Sequence, residues 1–147
     1  MAESSGFSLL ELIVVLSLVS ILAGIGVLSH QVLRPTLDLS AGTRQVVMAL
    51  KIARMRAVTQ NTSHRVVFTK GAGGYQLQRR GAAGYVDAGA RARLPPGVVV
   101  VACSARNAAI SFRPRGNPGS FGTVVMQNGQ GEVRRVIVDM AGQVRVQ

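Results

Sequence analysis

The sequence predicts an α+β fold: a long N-terminal helix packed on an antiparallel β-sheet domain. Two observations carry that expectation. From Phe7 the chain is almost wholly apolar to Leu28, and a helical spacing of apolar residues resumes from about Asp38 to Asn61. Beyond Asn61, short alternating runs sit between Gly-rich turns, as strands do. A helix followed by a series of strands gives an α+β layering. Aromatic residues are only 4% of the chain and Trp is absent, so the core must come from Val, Leu, Ile and Ala. A length of 147 residues suits one modest domain with an appendage.

The first element is GFSLLELIVVLSLVSILAGIGVLS. Its apolar run, Phe7 to Leu28, is 22 residues long, which at about 1.5 Å per residue spans roughly 33 Å, enough for a bilayer core. A cleaved secretory signal would need a basic leader, and MAESSG has no Lys or Arg. A buried helix of this length would need a larger domain around it. A membrane anchor is the reading that fits. The charge around the run argues for an orientation of its own. Glu3 precedes it and Arg34 follows it, the reverse of a cytoplasmic N-terminus.

Glu11 stands near the front of this run. An unpaired acid in a membrane costs about 2.5–3.5 kcal/mol at mid-depth and less near the interface. No Lys or Arg lies near it in sequence, so its partner must come from elsewhere, and a free α-amino group is one candidate. Ser17, Ser20 and Gly24 form a small-residue stripe that either lets helices approach closely or reflects the ordinary frequency of small residues in such helices.

Pro35 predicts a kink or short break. After it, Val46, Ala49, Leu50, Ala53 and Ala57 share one helical face, with alanines small enough for close packing on a sheet. Met48, Ile52 and Met55 make a second apolar patch near Arg44 and Lys51. It is either covered by loops or a contact for another subunit. Seven strands are then expected, at 64–70, 74–80, 97–103, 108–114, 122–128, 132–140 and 143–147. The turns GAGG, GAAG, LPPG, RGNPGSFG and NGQG separate them. Phe112 and Phe121 read as core.

These motifs carry a resemblance. The N-terminus resembles type IV prepilins and type II secretion pseudopilins, which have a short leader ending in Gly, then Phe, then an acid as the fifth mature residue. Gly6, Phe7 and Glu11 match in order and spacing. The C-terminal half is similar to the GspH/FimT branch of that family, through Ile110, Phe112, Pro114 and Gly116, and then Gly142 and Arg145. The resemblance implies a leader at 1–6 and a transmembrane and filament-core helix at 7–28. It implies a continuation of that helix at 29–61 and a β-rich globular domain at 62–147. It implies cleavage by a prepilin peptidase between Gly6 and Phe7 and N-methylation of the Phe7 amine. Glu11 would then pair with the N-terminal amine of a neighbouring subunit. The protein would sit in the inner membrane with its C-terminal domain in the periplasm, and enter a pseudopilus or pilus with other pilins.

Function classes narrow further. The six acids are scattered, neither His lies in a nucleophile motif, and GAGGY lacks the GK[ST] of a phosphate loop. No enzymatic site, cofactor or metal site is expected. Cys103 cannot form an intrachain disulfide and reads as a buried structural thiol. The net charge is +11, and 15 of the 17 basic residues are Arg, all at or after Arg34. Such a surface either attracts polyanions or keeps the protein soluble. The resemblance implies a minor pseudopilin at or near the filament tip, touching other minor subunits or secreted cargo. The alternative it implies is a FimT-type minor pilin that binds DNA. FimT-like chains end in a Gly-Arg-x-Arg segment, where this chain has Gly142-Gln143-Val144-Arg145. Arg113, Arg115, Arg134 and Arg135 are the candidates to supplement Arg145.

Overall fold

A computed structural model describes residues 8–147, and for residues 24–33 the backbone alone. Helix α1 spans Leu9–Thr59 and is followed by ten strands. The chain divides into two compact units at Pro35: one ends at Arg34 and the other is Pro35–Gln147. Pro35 itself lies inside α1, and helical backbone carries through it. The break expected there does not occur. Proline removes one backbone donor, and the other hydrogen bonds of a 51-residue helix hold the conformation across that gap.

The end of α1 is written in its capping. Asn61 adopts a left-handed φ of +47°. Its N–H donates to Val58 O at 3.3 Å, and the Thr62 N–H donates to Ala57 O at 3.2 Å. This pair of bonds is a Schellman motif, which occupies carbonyls that the helix end would leave bare.

Two antiparallel sheets follow. Sheet A contains β1 (His64–Thr69), β2 (Gly74–Gly81), β3 (Gly84–Asp87), β4 (Ala92–Arg93), β6 (Ala109–Phe112) and β7 (Pro118–Ser120). Its order is β3-β2-β1-β6-β7, with β4 also on β2. Sheet B contains β5 (Val99–Cys103), β8 (Gly122–Gln127), β9 (Val133–Val138) and β10 (Val144–Val146), in the order β10-β9-β8-β5. All seven expected strands form. Strands β3, β4 and β7 are additional, and all are short.

The core of the second unit joins one face of α1 to one face of each sheet. Leu39, Val46, Leu50, Ala53 and Ala57 are fully buried on the helix. Val66, Phe68, Ile110 and Phe112 come from sheet A, and Val100, Val124, Met126, Val136 and Val138 from sheet B. Ala49 is half-buried at the margin of that face. Phe112 is core as expected, but Phe121 is not: it is 49% exposed. Phe121 lies between β7 and β8, where the chain leaves one sheet for the other, so neither sheet's inner face takes its ring.

Candidate assembly helix and basic surfaces

The N-terminal part of α1 is apolar and uncovered. Described residues from Leu9 to Leu22 are exposed, with Leu9 at 77% and Leu22 at 69%. A surface of this kind marks an interaction site or a lipid contact. Among the described residues, no helix is long and apolar enough to cross a membrane. Phe7 and the side chains of 24–28, which belong to the 22-residue run, lie outside the described residues, as does Gly6.

Glu11 stands in the first turn of α1, on this exposed stretch. The partial positive charge of a helix N-terminus favours an acid there, so the residue has a local stabiliser as well as a place for an external partner. The stripe of small residues carries no orphaned hydroxyls. Ser17 Oγ donates to Val14 O at 2.7 Å, and Ser20 Oγ donates to Leu16 O at 2.8 Å. The side chain position of Gly24 lies outside the described residues.

The five candidate arginines fall in three places. Arg113 and Arg115 are exposed on the loop after β6. That loop is closed by the Arg113 N–H donating to Asn117 O at 2.9 Å and the Gly116 N–H to Arg113 O at 2.8 Å. Arg134 and Arg135 are consecutive in β9 and so point to opposite faces of sheet B. Arg145 pairs in register with Ile137, which places it on the same face as Arg135. Arg134 lies on the other face, with Val136 and Val138. Its Nη2 is 3.8 Å from Glu132 Oε1, an exposed pair of little energetic weight.

The two glycines of the C-terminal motif meet. A Cβ on Gly142 would lie 3.4 Å from Gly116 O and 3.3 Å from Pro118 Cδ. Arg54 of α1 closes over both: its Nη1 donates to Gly142 O at 3.1 Å. A Cβ on Gly116 would lie 3.2 Å from Val58. Gly116 and Gly142 both have left-handed φ, +80° and +77°. These positions join the helix to the loop after β6 and the turn before β10.

Residues 42–142 match the family described as type II transport protein GspH. The chain belongs to the GspH family. Residues 1–27 of this GspH-family chain also match the prokaryotic N-terminal methylation motif. It is 30% identical over 163 aligned residues to the pilin-like protein PilA1 of Thermus thermophilus, covering 97% of each chain. Its fold is similar to that of the minor pseudopilin EpsH of the Vibrio cholerae type 2 secretion system. There the TM-score is 0.61 at 12% identity, over 75% of this chain and 96% of that one. It is also similar to the Pseudomonas aeruginosa type IV minor pilin FimU, with a TM-score of 0.59 at 16% identity, over 76% and 90% of the two chains. The GspH-family chain is thus a pilin-like structural subunit, a kind that assembles with other pilins into filaments.

The geometry of this GspH-family subunit also identifies residues that sequence reasoning did not select. Arg44 and Lys51 of α1 line one groove with Arg134. Their spacing of two helical turns was a usable signal, but their convergence on β9 depends on the sheet order. Arg65 stacks over the Tyr85 ring at 3.9 Å, on strands of sheet A. That contact was hidden because β3 was not expected. Among the described residues, no group of three or more His, Cys, Asp or Glu could hold a metal ion.

Proposed function

We propose that the protein is a minor pseudopilin of a type II secretion system, at or near the tip of a periplasmic pseudopilus that supports protein secretion. The observation that carries this reading is the exposed apolar stretch of α1 with Glu11 in its first turn. A prepilin peptidase cuts between Gly6 and Phe7, and the new Phe7 amine is methylated. The apolar helix holds the subunit in the inner membrane until assembly, with the sheets in the periplasm. In the filament, the Glu11 carboxylate pairs with the N-terminal amine of a neighbour and sets axial register. An acid that is costly in lipid gains a partner only on leaving it, so the pairing favours extraction. The sheet domain then contacts other minor subunits or secreted cargo. The test is Glu11→Ala in cells that make the filament. The variant is expected to stay membrane-associated but to be lost from sheared filaments. Normal incorporation would refute the pairing role.

A second reading has its own support. Arg135 and Arg145 share one face of sheet B, a suitable start for a phosphate contact by a FimT-type minor pilin. The full-length protein in detergent would be titrated with duplex DNA over a range of salt. Each lost phosphate contact should reduce the salt slope by about one. Equal affinity and slope in an Arg134→Ala, Arg135→Ala, Arg145→Ala triple variant would sink this reading.

A further inference from the structure

Strand β10 has β9 as its neighbour in sheet B, and among the described residues no strand pairs with its other edge. Hydrogen-bond parity fixes what that edge displays. Arg135 and Gln147 exchange two bonds, N–H to O at 2.8 and 2.9 Å, and the Asp139 N–H donates to Gln143 O at 3.1 Å. In register, these pairs flank Arg145↔Ile137. Bonded pairs alternate along an antiparallel ladder. The N–H and C=O of Arg145 therefore turn toward β9, and those of Val144 and Val146 turn outward. The edge offers two donors and two acceptors at strand spacing.

A groove of about 430 Å³ lies beside this edge. Val146 forms one wall, Arg134 comes from β9, and Arg44, Val47, Met48 and Lys51 come from α1. Three cations line it and no acid does. Glu132 reaches Arg134 from outside the groove, and its carboxylate is shared with Thr36 and Asn128. Backbone edge and cationic groove thus adjoin, with Val47 and Met48 as an apolar floor.

We propose that the open edge of β10 takes an extended acidic segment of a partner polypeptide as a fifth strand of sheet B. Main-chain bonds to Val144 and Val146 would hold the segment. Its side chains alternate, so every second one faces the groove. Carboxylates there meet Arg44, Lys51 and Arg134, and the alternate side chains lie on the opposite face of the sheet. Nucleic acid fits this surface less well. A phosphate backbone has acceptors for the two N–H groups, but no donors at strand spacing for the two carbonyls. The site goes beyond the pseudopilin reading by giving the chemistry of a partner. It does not involve Glu11, so a failure of helix pairing would leave it standing.

The test uses full-length protein in detergent micelles and a capped peptide of alternating Glu and Val. The control peptide has the same length and charge, with Pro replacing each Val. The alternating peptide is expected to bind saturably, and to slow amide exchange at Val144 and Val146. Val146→Pro removes an outward N–H without touching the bonds to β9. It should weaken binding by about tenfold, with the melting temperature unchanged. An Arg44→Gln, Lys51→Gln double variant, which leaves the edge intact, should weaken it similarly and flatten its salt dependence. Equal binding of the Pro peptide, or no change in exchange at the edge, would overturn the proposal and leave generic attraction between opposite charges. Absence of binding would overturn it too.

Discussion

At Gly142 the backbone turns with φ +77°, and a Cβ would press on Pro118 and on the carbonyl of Gly116. An L-residue in that region costs about 1–2 kcal/mol before any contact is counted. Gly142→Ala should therefore lower stability by about 1–3 kcal/mol, and the melting temperature by several degrees. Thermal unfolding followed by circular dichroism, in the detergent used for the native chain, would read this. An unchanged melting temperature would show that the junction is not tight. A second residue-level expectation concerns Cys103, whose buried thiol is pushed up in pKa chiefly by desolvation, against a backbone hydrogen bond from Ala105 and the charge of Lys70. It should react with a thiol reagent slowly in the native chain and at a normal rate in denaturant. Fast native labelling would contradict the burial. At this scale the sequence was informative where a neighbouring run fixed the environment. Cys103 ends the Val-rich strand β5 and is buried, as read. Gly142 could be recognised as a motif position, but not as half of a contact with Gly116, because the 25 intervening residues bring the two together only through the fold of sheet B.

Helix α1 has two faces past Pro35, and their energetics should differ sharply. Ala53 is fully buried against the sheets. Ala53→Leu should cost about 1–3 kcal/mol through overpacking. Met55, 58% exposed, should tolerate Ala with a change below about 0.5 kcal/mol. Comparable melting shifts for the two variants would mean that the face assignment is wrong. That buried face was legible because a 3.6-residue period leaves a stripe in the sequence. The second patch resolves residue by residue. Ile52 is half-buried and shares a groove with Met48, Ala88, Gly89 and Ala90, in which Met48 stays exposed, and Met55 is exposed too. The strands that were missed have physical reasons. Strand β4 has two residues, and β3 is a four-residue segment with no buried position. Strand β7 is Pro-Gly-Ser, which reads as a turn, yet an edge strand accepts Pro because one side of its backbone needs no partner.

At the scale of the molecule, the charge was legible and its arrangement was not. Seventeen cations against six acids require a basic surface. Whether Arg134 and Arg135 act together depends on strand alternation, which separates them, and on pairing with β10, which brings Arg145 to Arg135. The half-buried Tyr75 phenol and the buried Cys103 thiol add a pH dependence to the whole domain. Burial raises the pKa of Tyr75, and chiefly burial raises that of Cys103. The folded chain thus holds these protons more tightly than the unfolded chain. The resulting stability is present below the ordinary thiol and phenol values and is lost as pH rises through the raised ones. Melting temperature should hold through neutral pH and fall above about pH 9. A Cys103→Ala variant should show a shallower fall, and an identical alkaline profile would contradict the linkage.

Two bonds fasten the end of the chain to α1: Thr36 Oγ1 donates to Glu132 at 3.0 Å, and Arg54 donates to Gly142 at 3.1 Å. Their anchor points are 18 residues apart on the helix, roughly 27 Å along its axis. The hairpins of sheet B are therefore tied down at both the β8–β9 turn and the β9–β10 turn. Tension applied along the helix would reach this sheet at opposite ends of β9. Force between the two anchor points runs along the covalent backbone of β9, so neither hairpin is peeled from the helix without breaking one of these bonds first. The C-terminal hairpins are in this respect strapped at two points to the part of α1 that follows Pro35.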